Sequence, residues 1–257
     1  DRLRSRGLGD VYKRQVYIPA CVTHSNVDDL VYNDFFIGEG ADVTIVAGCG
    51  VHSDGSETAR HNGIHRFFLE KGAKVLYKEK HIGTGKGTGL RRIDPVTDAY
   101  LKEDSYLEMD TVQLRGVDRT TRSTSAVLEK GAKIVVRERI MTDGDEDAVT
   151  KFKVELNGED CGADVVSRSV ARGNSHQAFY SVIEGNARCT GHSACDAILA
   201  DNGRVDAQPA LNAANVDAAL IHEAAIGKIA GDQIMKLCSL GLTREEAEEK
   251  IIEGFLK

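Results

Sequence analysis

The stretch EKGAKVLYKEKHIG (70–83) returns, with its opening intact, as EKGAKIVVRERIM (129–141). In both, charged residues lead into Gly-Ala and then into an alternating run rich in β-branched residues. Looser copies are EGADVTIVAG (39–48), EDSYLEMDTVQLRG (103–116), CGADVVSRSV (161–170) and EGNARCTGHSACDAIL (184–199). Gly40, Gly72, Gly131, Gly162 and Gly185 recur about 23–32 residues apart, with Asp104 filling one gap; repeats at such spacing mark stacked units that bury their apolar faces only against neighbours.

Each copy alternates as a half-buried strand does. Val43 and Ile45 stand against Asp42 and Thr44, and Ile134 and Val136 against Lys133 and Val135. Glycine supplies the φ > 0 corner between strands without steric penalty. Two all-β architectures fit, a β-solenoid or a sandwich of hairpins. Hairpins call for frequent Asn-Gly or Asp-Gly turns, which are sparse here (Asn62-Gly63, Asp143-Gly144, Asn157-Gly158, Asn202-Gly203), so the spacing favours the solenoid.

From Ile226 the period changes. In GDQIMKLCSLG, Ile234, Leu237 and Cys238 share a helical face and Gly241 is a stop. In LTREEAEEKIIEGFLK, Thr243 and Glu246 form a capping box, and Ala247, Ile251 and Phe255 a stripe. The expected organisation is a β-helix core over 17–228 and two closing helices over 229–257, which cap the solenoid or dock a partner. Residues 1–16, which open DRLRSRGLGDVYKRQ, are basic and lack periodicity; they read as a non-native extension, with the true N-terminus lying outside this sequence.

Composition narrows the function. A formal net charge of -7 argues against nucleic acid as a main partner, and no apolar run approaches the roughly 18–20 residues of a membrane span. Six cysteines without a signal peptide read as reduced thiols of a cytoplasmic protein, available for packing, metal or sulfur chemistry. A polysaccharide-active β-helix enzyme would need exposed carboxylates beside aromatic sugar platforms. The 5% aromatic content and the absence of Trp weigh against it. A metal-free interaction scaffold is the other alternative.

Three segments invite chemistry. HIGTGKGTG (81–89) lacks the first glycine of a phosphate loop and has Gly87 where Ser or Thr would bind magnesium, so nucleotide binding is rejected in favour of a flexible Gly-rich corner. Cys49-x-x-His52 with His61-x-x-x-His65 has metal-ligand spacing, against a plainer reading as solvent-facing loop histidines. In C-x-x-H-x-x-C, Cys189 and Cys195 share a strand face that His192 does not, so one strand cannot offer all three to one ion unless it bends. Across coils, His222 and Glu223 come within reach of Cys195. Thiolate, imidazole and carboxylate together suit iron or zinc, and thiolate favours iron–sulfur chemistry.

The segment IHEAAIGKIAGDQIMKLCSLGLTREEAEEKIIEGFL (221–256) resembles the C-terminal signature of the SufB/SufD family of iron–sulfur cluster assembly proteins. GHSACDAIL (191–199) and CGVHSDG…HNGIHRFFLEKGAKV (49–75) resemble its short members, and the likeness covers 17–257. It implies a right-handed parallel β-helix with a small helical segment, and a non-catalytic scaffold. It also implies a SufC-like ABC-type ATPase docked on the closing helices, a homodimer or a SufB/SufD-like partner, a sulfur donor, apo-protein recipients and a transient iron–sulfur cluster. His222 stands where SufD-type proteins carry a functional histidine, and Glu223 matches a SufB-type glutamate. The SufB cysteine of the preceding coil falls, by counting back, at Gly203, which leaves Cys195 as the substitute thiol. Cys49 corresponds to a cysteine implicated in sulfur handling. The expected ligand set is therefore Cys195, His222 and Glu223, with Cys49 as a further metal or sulfur residue.

Overall fold

In the computed structural model, which describes residues 14–257, strands alternate between two sheets. Sheet A carries, in hydrogen-bonded order, β1 (Arg14–Val22), β3 (Asp42–His52), β5 (Lys74–Thr84), β8 (Tyr106–Gln113), β10 (Lys133–Thr142), β12 (Gly162–Ala171), β14 (Thr190–Leu199) and β16 (Ala219–Gly227). Sheet B runs from β2 (Val27–Ile37) through β4 (Ala59–Leu69), β6 (Arg91–Ile93), β9 (Arg119–Leu128), β11 (Asp147–Leu156) and β13 (His176–Gly185) to β15 (Arg204–Ala213). β7 (Val96–Leu101) continues the path of β6 and pairs with β4 and β9. Every pairing is parallel, and the chain makes a β-solenoid of about seven turns. The parallel β-helix expected from the repeats and from the resemblance is the fold found. The expected extension over 1–16 falls mostly outside the described residues, and Arg14, Gln15 and Val16 stand in β1 opposite Val43, Thr44 and Ile45.

Alternation places the core. On β10, Ile134 and Val136 are buried and Lys133 is exposed. On β3, Ile45, Ala47, Cys49 and Val51 point inward. The central cluster stacks Phe67, Leu69, Val75, Tyr77, Leu107, Met109, Ile134, Phe152 and Leu156 from successive coils. Coil length is not constant. Side chains that meet across coils are 32 residues apart near the N-terminal end (Arg66 and Asp34), 27 in the middle (Ser125 and Asp98), then 29 (Ser167 and Glu138) and 28 (His192 and Asp164).

The corner column is Gly40, Gly72, Asp104, Gly131 and Asp160, all at positive φ, each amide bonded to the carbonyl of the next coil's corner. Gly162 and Gly185, which the repeat alignment sets in that column, lie instead in β12 and β13. The HIGTGKGTG segment is no slack corner either. Cβ atoms at Gly85, Gly87 and Gly89 would overlap the backbone of Ser53, Gly55 and Glu57, so these glycines permit backbone to stack on backbone.

α1 (Gly231–Cys238) and α2 (Arg244–Phe255) close the chain. The Thr243–Glu246 capping box forms in both directions, and Gly241 sits at φ +98° beyond α1. Ala247 and Ile252 of α2 and Leu256 just beyond it are buried, while Ile251 and Phe255 of the expected stripe are half-buried. Ile252, Phe255 and Leu256 rest on Val170, Met141, Leu114 and Ile198, the ends of successive strands of sheet A, with Arg172 bonded to Glu249. The helices thus lie along the flank. Among the described residues no strand covers the outer edges of β15 and β16.

Candidate functional site

Two constellations of chemistry-bearing side chains stand at opposite ends of the solenoid. The first lies in the lumen near the N-terminal end and is built by strand parity. His61 and His65 occupy the same face of β4 as Phe67 and Leu69, and Glu79 and His81 the same face of β5 as Val75 and Tyr77. Inward-facing parity therefore carries both histidines into the interior. They are not the solvent-facing loop residues of the plainer reading, being 2% and 3% exposed. His52 has the opposite parity and bonds Asp54 and Thr84 at the surface, while His61 is held by Asp29 at 2.7 Å. Of the four residues in the Cys49–His65 pattern, Cys49, His61 and His65 lie on inward faces and His52 does not.

At its centre is Glu79. Its Oε1 accepts from Tyr77 Oη at 2.9 Å and lies 3.3 Å from His81 Nε2 and 3.8 Å from His65 Nε2. Its Oε2 accepts from Arg122 at 2.7 Å. Burial alone would raise the Glu79 carboxyl, but His81 and Arg122 hold it well below the ordinary value of 4.5. Arg122 continues to Glu138 at 3.5 Å, and Glu138 accepts from Thr150 and Ser167. Further along, Ser181 and Ser193 share a hydrogen bond on the same inner face that holds Cys195. A broken row of buried polar groups thus runs through an otherwise apolar lumen. Burial also lowers the His65 pKa, favouring a neutral imidazole, and pushes the Cys49 thiol up to about 12.

The second constellation is at the C-terminal end. β14 pairs β16 with Ser193 opposite His222, Ala194 opposite Glu223 and Cys195 opposite Ala224. His222 therefore shares the inner face with Cys195, one diagonal step away, but belongs to the last, exposed coil. Glu223 points to the outer face, where its carboxylate lies 3.8 Å from His192 Nε2, whose Nδ1 is 2.8 Å from Asp164. Cys195 is buried, and desolvation, with Glu138 and Asp196 adding to it, pushes its thiol up to about 12. The fold brings Cys195 near His222 and sets Glu223 behind them. Five strand steps separate Cys49 from Cys195, roughly 24 Å at about 4.8 Å per step, so one ion cannot be shared between them.

Register sets Gly203 apart from His222 and Glu223. The coil positions beside His222–Glu223 are Ser193, Ala194 and Cys195, whereas Gly203 lies in the turn before β15. A Cβ at Gly203 would overlap the Ala171 carbonyl, so no side chain fits there. Gly203 precedes His222 by 19 residues, less than one coil.

Comparison with known proteins agrees with this architecture. The SUF system FeS cluster assembly SufBD core domain matches residues 31–255. An iron-sulfur cluster assembly SufBD family protein of Archaeoglobus fulgidus is 29% identical over 95% of this chain and 65% of its own length. One from Methanothermobacter thermautotrophicus strain Winter is 29% identical over 95% of this chain and 60% of its length. Another from Methanocaldococcus jannaschii is 25% identical over 96% and 78%. The chain spans about three fifths to two thirds of the first two relatives. A parallel two-sheet solenoid that matches the SufBD core over nearly its whole length belongs to the SufBD family of iron–sulfur cluster assembly proteins.

Proposed function

We propose that this chain is a non-catalytic scaffold subunit of a SUF-type complex. It builds or transfers iron–sulfur clusters together with a SufC-like ABC-type ATPase. The observation that carries the reading is the approach of Cys195 on β14 to His222 on β16, one diagonal step apart on the inner face at a solenoid end whose edges are open. Unpaired edges of two adjacent strands invite a second chain, either another copy or a SufB/SufD-like partner. The nascent cluster is cargo at that junction, with Cys195 as thiolate ligand or persulfide carrier and His222 and Glu223 as further donors.

The geometry also sets what must happen first. A thiol with a pKa near 12 is neither nucleophile nor ligand until a metal or a positive neighbour deprotonates it. β16 covers Cys195 from the C-terminal side, so exposure of the sulfur requires the last coil to shift. The ATPase is the proposed source of that work, docked on the closing helices over 229–257, where Met235 and Leu240 are 64% and 72% exposed. A sulfur donor and apo-protein recipients complete the cycle, and a cytoplasmic setting follows from reduced thiols. No helix among the described residues is long and apolar enough to cross a membrane. The test is to replace Cys195 and Glu223 separately and measure cluster reconstitution with the ATPase partner. Loss in the Cys195 variant is expected, and full retention in both variants removes the site assignment.

A further inference from the structure

The lumen cluster near the N-terminal end is not needed for a cluster site at the other end, yet it gathers three metal-ligand donors at one point. Cys49, Glu79 and His81 present ligand atoms that all lie within 4.8 Å of one another, and all three residues are buried. The Nε2 atoms of His65 and His81 are buried without a hydrogen-bond partner. Interiors rarely leave two imidazole nitrogens unsatisfied, since each orphan costs about 1–3 kcal/mol. Both aim at Glu79 Oε1, at 3.8 and 3.3 Å. Gly63 makes room for one of them: a Cβ there would press on His65 Nε2 at 2.6 Å.

We propose that Cys49, Glu79 and His81 bind one divalent first-row transition-metal ion inside the solenoid, with His65 as the nearest further donor. Thiolate, carboxylate and imidazole are the donor set of zinc and ferrous iron, and a tetrahedral site with bonds of about 2.0–2.3 Å needs its ligand atoms about 3.3–3.8 Å apart, inside the 4.8 Å that bounds this group. The surroundings supply what such a site needs. Gln113 Oε1 lies 3.4 Å from His81 Nδ1 and can accept its proton, which frees Nε2 for the ion. Arg122 Nη2 now approaches the same Nδ1 at 3.1 Å, so ligation turns the guanidinium toward Glu138. The balance of the step is simple. A divalent ion enters, the Cys49 S–H bond breaks, the sulfur keeps the electron pair as thiolate, and one proton is released per ion bound. Nothing is oxidised or reduced. Asp29, half exposed at the N-terminal end and bonded to His61, provides an anionic approach to the lumen.

This site is distinct from the proposed cluster site and its test uses no sulfide, ATPase or cluster. The full chain is purified with thiols reduced, stripped with chelator and titrated anaerobically with Co²⁺. One equivalent is expected to give a near-ultraviolet thiolate-to-cobalt charge-transfer band and intense visible d–d bands, with release of one proton. Cys49→Ser abolishes the charge-transfer band, Gln113→Ala weakens binding about 10- to 100-fold, and Cys161→Ser leaves the titration unchanged. Zinc then competes the cobalt out, and the metal content of the chain as purified, before chelation, identifies the resident ion. A folded wild-type chain that shows no thiolate-to-cobalt band overturns the proposal whatever the variants do. So does a band that survives Cys49→Ser or disappears in Cys161→Ser.

Discussion

Replacing Arg122 by Met removes the one buried cation that binds Glu79 and Glu138 together. Arg122 is 4% exposed, and its guanidinium reaches Glu79 at 2.7 Å and Glu138 at 3.5 Å. Met fills most of the volume, so what is lost is chiefly charge. Breaking a buried ion pair from one side costs about 3–5 kcal/mol, because the remaining carboxylate stays desolvated. At about 4 kcal/mol the folded-to-unfolded ratio falls roughly a thousandfold. The pH dependence carries a sign. The Glu79 carboxyl of the native chain is held below 4.5, so its contribution is present above that value and is lost as pH falls through the depressed folded value. Without Arg122 only the histidines are left to oppose burial, so the Glu79 carboxyl rises from its depressed value, and the variant suffers most at neutral pH and recovers part of the difference in acid. Urea unfolding followed by far-ultraviolet circular dichroism at neutral and mildly acid pH measures both effects. Arg122→Lys should fall between, since one ammonium cannot replace a fork that serves two carboxylates. A loss of less than about 1 kcal/mol for Arg122→Met, or a loss equal at both pH values, would refute the reasoning.

Other outcomes follow from single features. Gly203→Cys installs a thiol where a Cβ meets the Ala171 carbonyl, and should destabilise the chain by about 1–3 kcal/mol without adding a ligand; a thermal midpoint equal to wild type contradicts this. Thiol labelling of the native chain should modify Cys21 quickly and Cys238 next, with Cys49, Cys161, Cys189 and Cys195 reacting only on unfolding, as mass mapping would show. The pKa of His176 is raised by hydrogen bonds to Asp206 and Asp147, so its pairing stabilises the fold below the ordinary value of 6.5 and is lost as pH rises through the higher folded value. His176→Gln should therefore lower stability at mildly acid pH, by no more than about 1 kcal/mol at this partly exposed site, and leave it unchanged in alkali. Thr243→Ala removes the capping box and should loosen α2 by about 1 kcal/mol, visible as faster amide exchange in 244–247 alone.

The repeat and the alternation of Val43, Ile45, Ile134 and Val136 made the solenoid legible, because parity alone decides which face of a strand is buried. The same rule, carried into 59–69, could have placed His61 and His65 in the lumen beside Phe67 and Leu69. Histidines next to a polar loop hid that parity. Arg122, Glu79 and Glu138 were harder to see as partners, since they meet across the lumen between residues 43 apart in one case, a separation fixed by coil lengths. Those lengths shift between 27 and 32 residues, whereas Gly203 precedes His222 by 19, less than one coil, and the register gives the place opposite His222 to Ser193. The split of His222 and Glu223 to opposite faces follows from adjacent positions on one strand, but the nearness of Glu223 to His192 needed the register.

The central claim is that this SufBD chain carries a cluster as cargo in company with an ATPase. Anaerobic co-expression with a SufC-like ATPase, affinity capture on one subunit, and iron and acid-labile sulfide counting on the captured complex test it most directly. The account predicts that the ATPase is retained, that iron and sulfide are present in matching amounts, and that both are lost with Cys195→Ser while the complex persists. A stable complex devoid of sulfide under reconstituting conditions, or one whose sulfide is untouched by Cys195→Ser, would contradict it.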